Sequence, residues 1–112
     1  MACLRLDPRG PQTASLMQLI AISHYYQHDY DKAVEAARRT VAQYPKFHLT
    51  YRWLAAALGQ LGRVEAAQQA MQMAVALSPQ SFEFYVRHRP AWHTPENYEH
   101  MLEGLRKAGW WG

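Results

Sequence analysis

The sequence repeats itself with a period of 34 residues. Sliding the chain by 34 positions superposes identical residues, among them Ala21 on Ala55, Ala33 on Ala67, Ala36 on Ala70, Val41 on Val75, Ala42 on Ala76 and Pro45 on Pro79. A fixed period of this length is typical of repeat architectures, in which each unit is one supersecondary element that buries its apolar face only by stacking on its neighbours. The fold is therefore expected to contain two copies of one unit.

Each unit reads as two helices joined by a short turn. Apolar side chains recur at steps of three and four residues on both sides of a polar break at 27–29 in the first unit, and on both sides of a turn predicted at Gly59 to Gly62 in the second. Pro45 and Pro79 follow the second helix of each unit, where proline cannot continue a helix. The small residues shared by the units suit the contact between antiparallel helices, because short side chains let the backbones approach closely.

This pattern resembles the tetratricopeptide repeat family, whose units carry an aromatic residue and a Leu-small pair in the first helix, an Ala early in the second and a closing Pro. Tyr51, Leu54-Ala55, Ala67 and Pro79 match in the second unit. The first unit matches less completely, with Met17 at the aromatic position, Ile20-Ala21 as the pair and His28 where the second unit has Gly62. The resemblance covers about residues 13–79 and implies an all-α fold, a tetratricopeptide-like α-α superhelix.

The C-terminal third departs from the repeat. A third unit begins, since Tyr85 lies 34 residues after Tyr51, but Pro90 interrupts its first helix. Thr94 and Pro95 then predict the start of an amphipathic helix. We thus expect a single domain, 1–112, with repeat 1 at about 13–45, repeat 2 at about 47–79, a degenerate third helix at about 80–89 and a C-terminal capping helix at about 95–108, backed by Trp110 and Trp111. This tail is similar to segments that close repeat arrays in bacterial class III adenylate cyclases and winged-helix regulators.

The family resemblance also implies a binding surface, because the first helix of each hairpin faces the concave side of the superhelix. The predicted partner-binding groove comprises Gln18, Ile22, Tyr25, Tyr26, Leu49, Arg52, Trp53 and Ala56. Aromatic and Arg side chains of this kind often dominate protein interfaces. The function predicted is therefore a protein–protein interaction module that binds a peptide or a partner helix. The same aromatic side chains would otherwise pack internally, against the last helix or against neighbouring units.

Two other functions remain open at this stage. An apolar face left uncovered on the first unit would suit a self-associating structural module, a homo-oligomer. The resemblance of the tail would suit a regulatory C-terminal fragment of a larger bacterial signalling protein such as an adenylate cyclase.

Other classes of function are disfavoured by the sequence. No nucleophile, acid–base pair or glycine-rich phosphate loop is evident, so neither a catalytic site nor a cofactor is expected. His24 and His28 have metal-binding spacing but no third ligand nearby, and no metal is predicted. The twelve Lys and Arg are dispersed, which argues against nucleic acid, although the 87–89 run with His93 is basic enough to hold a phosphate. The absence of a long apolar run and the lone Cys3 predict a soluble cytoplasmic protein without membrane contact.

Overall fold

The computed structural model describes residues 11–88 and 94–109, and within them the chain is helical. The six helices are α1 (Pro11–Tyr26), α2 (Tyr30–Gln43), α3 (His48–Gln60), α4 (Val64–Leu77), α5 (Pro79–Arg87) and α6 (Pro95–Lys107). The described residues form no strand, and the predicted all-α repeat fold is confirmed. Cys3, Trp110 and Trp111 lie outside the described residues. None of the described helices is long and apolar enough to cross a bilayer.

Two helical hairpins form the body of the domain. Helices α1 and α2 make the first hairpin, α3 and α4 make the second, and α2 packs against α3 to stack one on the other. The alanines that recur with the repeat, Ala21, Ala33, Ala55 and Ala67, are all buried. A methyl group is the largest side chain that such closely spaced helices accept without being pushed apart.

The two hairpin turns have the same backbone conformation although they carry different residues. His28 and Gly62, 34 positions apart, both adopt positive φ angles of 63° and 78°. In each turn the next residue donates a hydrogen bond to a carbonyl five residues back, from Asp29 N–H to His24 and from Arg63 N–H to Leu58. These bonds are typical of a helix that ends with one residue in the left-handed conformation. Glycine usually occupies that position, and histidine tolerates it better than most residues. The first hairpin therefore keeps its geometry without glycine.

The second turn is shorter than the sequence predicted. Helix α3 continues through Gly59 to Gln60, so the turn begins at Leu61 and not at Gly59. Gly59 is a helical residue, and its role lies in packing, as described below.

Helices α5 and α6 complete the domain in different ways. Helix α5 follows α4 after Ser78 and packs against it. Helix α6 begins as predicted, with the Thr94 hydroxyl accepting a hydrogen bond from the N–H of Asn97 at 3.2 Å. It then runs along α3, on the side that also faces the end of α1. Helix α6 therefore contacts the side of α1 and α3 that carries Tyr25 and Arg52.

Candidate functional site

Helix α6 lies against the face of α1 and α3 on which the sequence predicts the partner-binding groove. Five of the eight predicted groove residues are buried in the core, and only Gln18, Tyr26 and Leu49 keep part of their surface exposed. The buried members are Ile22, Tyr25, Arg52, Trp53 and Ala56. The expectation that these five side chains are available on an open face is corrected by the structure. Tyr25, Arg52 and Ala56 contact a helix of the same chain, α6.

The apolar stripe of α6 forms the contact with the groove. Met101, Leu102, Leu105 and Ala108 are all buried and belong to the same core cluster as Tyr25 and Trp53. Burying a Met or Leu side chain stabilises the folded state by about 2 kcal/mol. Helix α6 therefore packs with its apolar side toward the side chains for which the groove was predicted.

Two glycines allow α6 to approach α3 backbone to backbone. A Cβ atom added to Gly59 would lie closer than 3.0 Å to the carbonyl oxygen of Gly104. A Cβ atom added to Gly104 would lie 2.5 Å from the carbonyl oxygen of Ala56. Neither glycine was predicted as part of the groove. The signal available in the sequence is a glycine inside an otherwise helical pattern, which often marks close approach of another element.

Hydrogen bonds along one edge fix where α6 sits. The Tyr25 hydroxyl donates to the backbone carbonyl of His100 at 2.5 Å. The Gln60 side chain donates to Glu103 at 3.0 Å and accepts from Lys107 at 2.9 Å. Burial raises the pKa of Tyr25 well above its usual range, so the hydroxyl remains a donor. Apolar contacts alone leave a helix free to slide, and these directed bonds select one register.

An aromatic cluster with one buried cation lies beneath α6. The Trp53 ring meets Tyr25 and Tyr26 edge to face, with centroids 5.5 and 5.8 Å apart. The Arg52 guanidinium lies 5.6 Å from the Trp53 ring centroid, and its Nε lies 3.3 Å from the sulfur of Met101. Burial raises the pKa of Tyr26 to about 12, although Arg52 acts in the opposite direction. Arg52 thus connects the groove to α6 and is no longer free to steer an acidic partner.

Two histidines and a tyrosine meet where α6 crosses the first turn. The rings of His28 and His100 stack with centroids 4.5 Å apart. The Tyr30 hydroxyl lies 2.9 Å from Nδ1 of His28 and 2.6 Å from Nε2 of His100. This cluster could not be predicted from the sequence, because His100 is far from the other two residues along the chain and has no repeat partner. It joins α6 to the first hairpin.

His24 lies in α1 and His28 in the turn that follows it. No group of three His, Cys, Asp or Glu side chains within residues 11–88 and 94–109 is arranged to hold a metal ion. In the basic run, Arg87 forms an ion pair with Glu83 one turn earlier in α5. Arg89 and His93, the other residues of the run that could hold a phosphate, lie outside the described residues.

The contacts of His100 lead us to expect that the stability of the fold depends on pH. Burial, and then the neighbouring His28, lower the pKa of His100 below its ordinary value of 6.5. The unfolded chain then binds more protons than the folded one, so stability is greatest above pH 6.5 and falls as the pH drops toward the lowered folded-state pKa. The midpoint of urea unfolding should decrease between pH 7.5 and 5, and His100→Gln should flatten this dependence. His88→Gln, on an exposed histidine outside the cluster, is the control. Equal slopes for all three proteins would contradict the assignment.

A comparison with known families finds a match over most of the two hairpins. The sequence model of a family described as Tetratricopeptide repeat matches residues 19–82, more than half of the chain. The comparison with curated proteins and that with solved structures give no match. The matched residues run from the middle of α1 into α5 and do not reach α6. The resemblance of the tail to bacterial cyclases and winged-helix regulators therefore gains no support from the match.

Proposed function

The chain belongs to the tetratricopeptide repeat family, and we propose that it binds an amphipathic helix of a partner protein in the groove between α1 and α3. Repeats of this family are typically non-catalytic modules of protein–protein interaction. The observation that carries the proposal is that the groove already holds a helix, α6, through a buried apolar stripe. A groove that binds one helix of the right pattern can bind another.

The contacts of α6 define the partner helix that would fit. Met101 and Leu105 fill the groove four residues apart, and Gly104 between them lets the backbones touch. A partner needs large apolar side chains at this spacing with a glycine one position before the second of them. Larger residues at the glycine position are excluded, because they would meet the carbonyl of Ala56. Selection is therefore by shape as well as by hydrophobicity.

A partner helix must displace α6. Because α6 belongs to the same chain, it competes with the partner and lowers the affinity for it. A tethered segment competes at an effective concentration of roughly millimolar, so the affinity of the closed protein for a free helix is reduced accordingly. Gln18, Tyr26 and Leu49 remain partly exposed at the rim while α6 is seated. These side chains would make the first contacts with an incoming helix.

The proposal can be tested with the helix that the structure provides. A fluorescent peptide of residues 94–109 is titrated into the intact chain and into the chain variant Gly104→Ala, whose own α6 is poorly seated. Because the wild-type peptide then competes with a weaker occupant, its binding to the variant should be at least about tenfold tighter, which corresponds to about 1.4 kcal/mol. Circular dichroism verifies that the hairpins of the variant remain helical.

Two control peptides make the result specific for the groove. A peptide with Gly104→Ala should bind the variant chain more weakly than the wild-type peptide, since its own methyl group meets Ala56. A peptide with Glu99→Gln, changed at an exposed residue whose ion pair is with Arg106 of the same helix, should retain most of the affinity. If the wild-type peptide fails to bind the variant chain, or all three peptides bind equally, the groove does not recognise helices in trans.

A further inference from the structure

Helix α6 is joined to the first hairpin by two histidines that share one hydroxyl group. The Tyr30 hydroxyl lies within hydrogen-bond distance of Nδ1 of His28 and of Nε2 of His100, at 2.9 and 2.6 Å. A hydroxyl has one proton to donate, so it donates to one of these nitrogens and accepts the N–H of the other. A neutral imidazole has one donor and one acceptor nitrogen. The three side chains therefore satisfy each other as long as at least one of the two rings is uncharged.

A second proton on the pair removes this match. When both imidazoles are charged, all of their ring nitrogens are donors, and the Tyr30 hydroxyl loses the nitrogen that accepted its proton. The rings of His28 and His100 are stacked with centroids 4.5 Å apart, so two positive charges then lie face to face. Like charges at this distance disfavour the doubly charged state. Because imidazole ordinarily changes its charge between pH 8 and 5, the contact weakens in that range.

Two charged side chains of α6 lie near His100 and act in opposite directions. The Glu103 carboxylate favours a positive charge on the ring, and the Lys107 ammonium opposes it. These two groups pair with each other at 3.6 Å, and Glu103 also accepts a hydrogen bond from Gln60 at 3.0 Å. Burial, followed by the neighbouring His28, outweighs Glu103 and holds the pKa of His100 below its ordinary value of 6.5. A proton is therefore bound more weakly by His100 while α6 is seated than after it has left.

The first hairpin surrounds the two rings mainly with neutral groups. The Tyr25 ring lies 4.4 Å from the His100 ring, centroid to centroid. Burial raises the pKa of both Tyr25 and Tyr30, so these hydroxyls stay uncharged. Asp29 in the turn forms an ion pair with Lys32 at 3.7 Å. Neutral hydroxyls do not balance two imidazolium charges, so the repulsion between the rings acts on the contact of α6 with the hairpin.

We propose that protonation of His28 and His100 releases α6 from α1 and α3 while the two hairpins stay folded, so that acidic pH opens the helix-binding surface. The pair joins α6 to the first hairpin, whereas the contacts inside the hairpins are made by side chains that do not titrate, the buried alanines Ala21, Ala33, Ala55 and Ala67. The use of the opened surface rests on the proposed function. The release of α6 does not, and it can be measured without a partner.

The first test is amide hydrogen exchange of the full chain at pH 7.5 and pH 5, expressed as protection factors so that the intrinsic pH dependence of exchange is removed. Protection along residues 95–107 should fall at least about fivefold more than protection in α2 and α4. His100→Gln and His28→Asn should each abolish this selective loss. Asparagine is chosen at position 28 because it also tolerates a positive φ, which is 63° there.

His48→Gln is the matched control. Burial, and then Arg52, lower the pKa of His48 as well, but His48 is the first residue of α3 and is not part of the pair. Its replacement should leave the selective loss of protection in α6 unchanged. Circular dichroism at both pH values verifies that each variant is folded before its exchange is compared.

The second test measures whether release exposes the surface. A fluorescent peptide of residues 94–109 with His100→Gln, which lacks the titrating ring, is titrated into the full chain at both pH values. Its affinity should rise at least about fivefold at pH 5, because the competing α6 is weakened, and should stay constant in the chain variant His100→Gln.

The outcomes separate this proposal from the proposed function. Equal loss of protection in all helices at pH 5, or a selective loss that persists in both His100→Gln and His28→Asn, would overturn the release of α6. Peptide binding with the same affinity at both pH values would overturn it too, while leaving the proposed function intact. Selective loss of protection in α6 without any peptide binding would confirm the release and contradict the proposed function.

Discussion

Replacing Trp53 with alanine should lower the free energy of unfolding by about 3–5 kcal/mol, as expected for an aromatic side chain removed from a core. The indole is only 2% exposed and contacts the rings of Tyr25 and Tyr26 and the guanidinium of Arg52. Its removal leaves a cavity between α1 and α3, the first helices of the two hairpins. Since the stability of a domain of this size is about 5–15 kcal/mol, the variant should lose a large part of it.

Urea unfolding followed by far-ultraviolet circular dichroism measures this loss without relying on tryptophan fluorescence. Phe84→Ala is the matched control, because Phe84 is largely exposed and its truncation should change stability by no more than about 0.5 kcal/mol. A cost below about 1 kcal/mol for Trp53→Ala would show that the indole is not part of the core. The variant is accordingly unsuitable for a binding assay, where it would report unfolding.

The fold could be predicted because its signals are local and occur twice. Ala21 and Ala55, or Ala33 and Ala67, are informative mainly as pairs, since one alanine in a helix has little meaning and two at a spacing of 34 indicate equivalent environments. The tolerance of His28 for a left-handed conformation also has a local cause. It replaces the glycine of the second unit with a moderate steric penalty, so the hairpin remains recognisable.

The state of the groove could not be predicted in the same way. Periodicity indicates which side chains of α1 and α3 share a face, and it also identifies the apolar stripe of α6. Periodicity does not indicate which surface the stripe covers. Helix α6 has no equivalent in the repeats, so its packing position cannot be inferred by comparison with another unit. The contact depends on the close approach of Gly59 and Gly104, which are far apart in the sequence. Trp53 and Tyr25 were therefore predicted as binding residues, whereas in the structure both are buried, Trp53 on the rings of Tyr25 and Tyr26 and Tyr25 against α6.

The contact between those glycines leads to the second large effect. Gly59→Ala and Gly104→Ala should each lower the free energy of unfolding by about 2–3 kcal/mol. Alanine is the better helix former by about 1 kcal/mol, so an exposed site would be stabilised by this change. Here the added methyl group meets backbone atoms of the facing helix, which cannot rotate away as a side chain would. Overpacking of this kind exceeds the gain in helix propensity and forces α6 away from α3.

Amide hydrogen exchange distinguishes this local effect from general loss of stability. In both variants protection should fall first along α6, at residues 95–107, while α2 and α4 keep theirs. Gly62→Ala is the control for backbone strain, since Gly62 has a φ of 78° and nothing within 4 Å of an added Cβ. It should cost about 1 kcal/mol without selective loss of protection in α6. Equal loss of protection in all helices of Gly104→Ala would mean that α6 cannot leave the groove without unfolding the hairpins, and a partner helix could not then take its place.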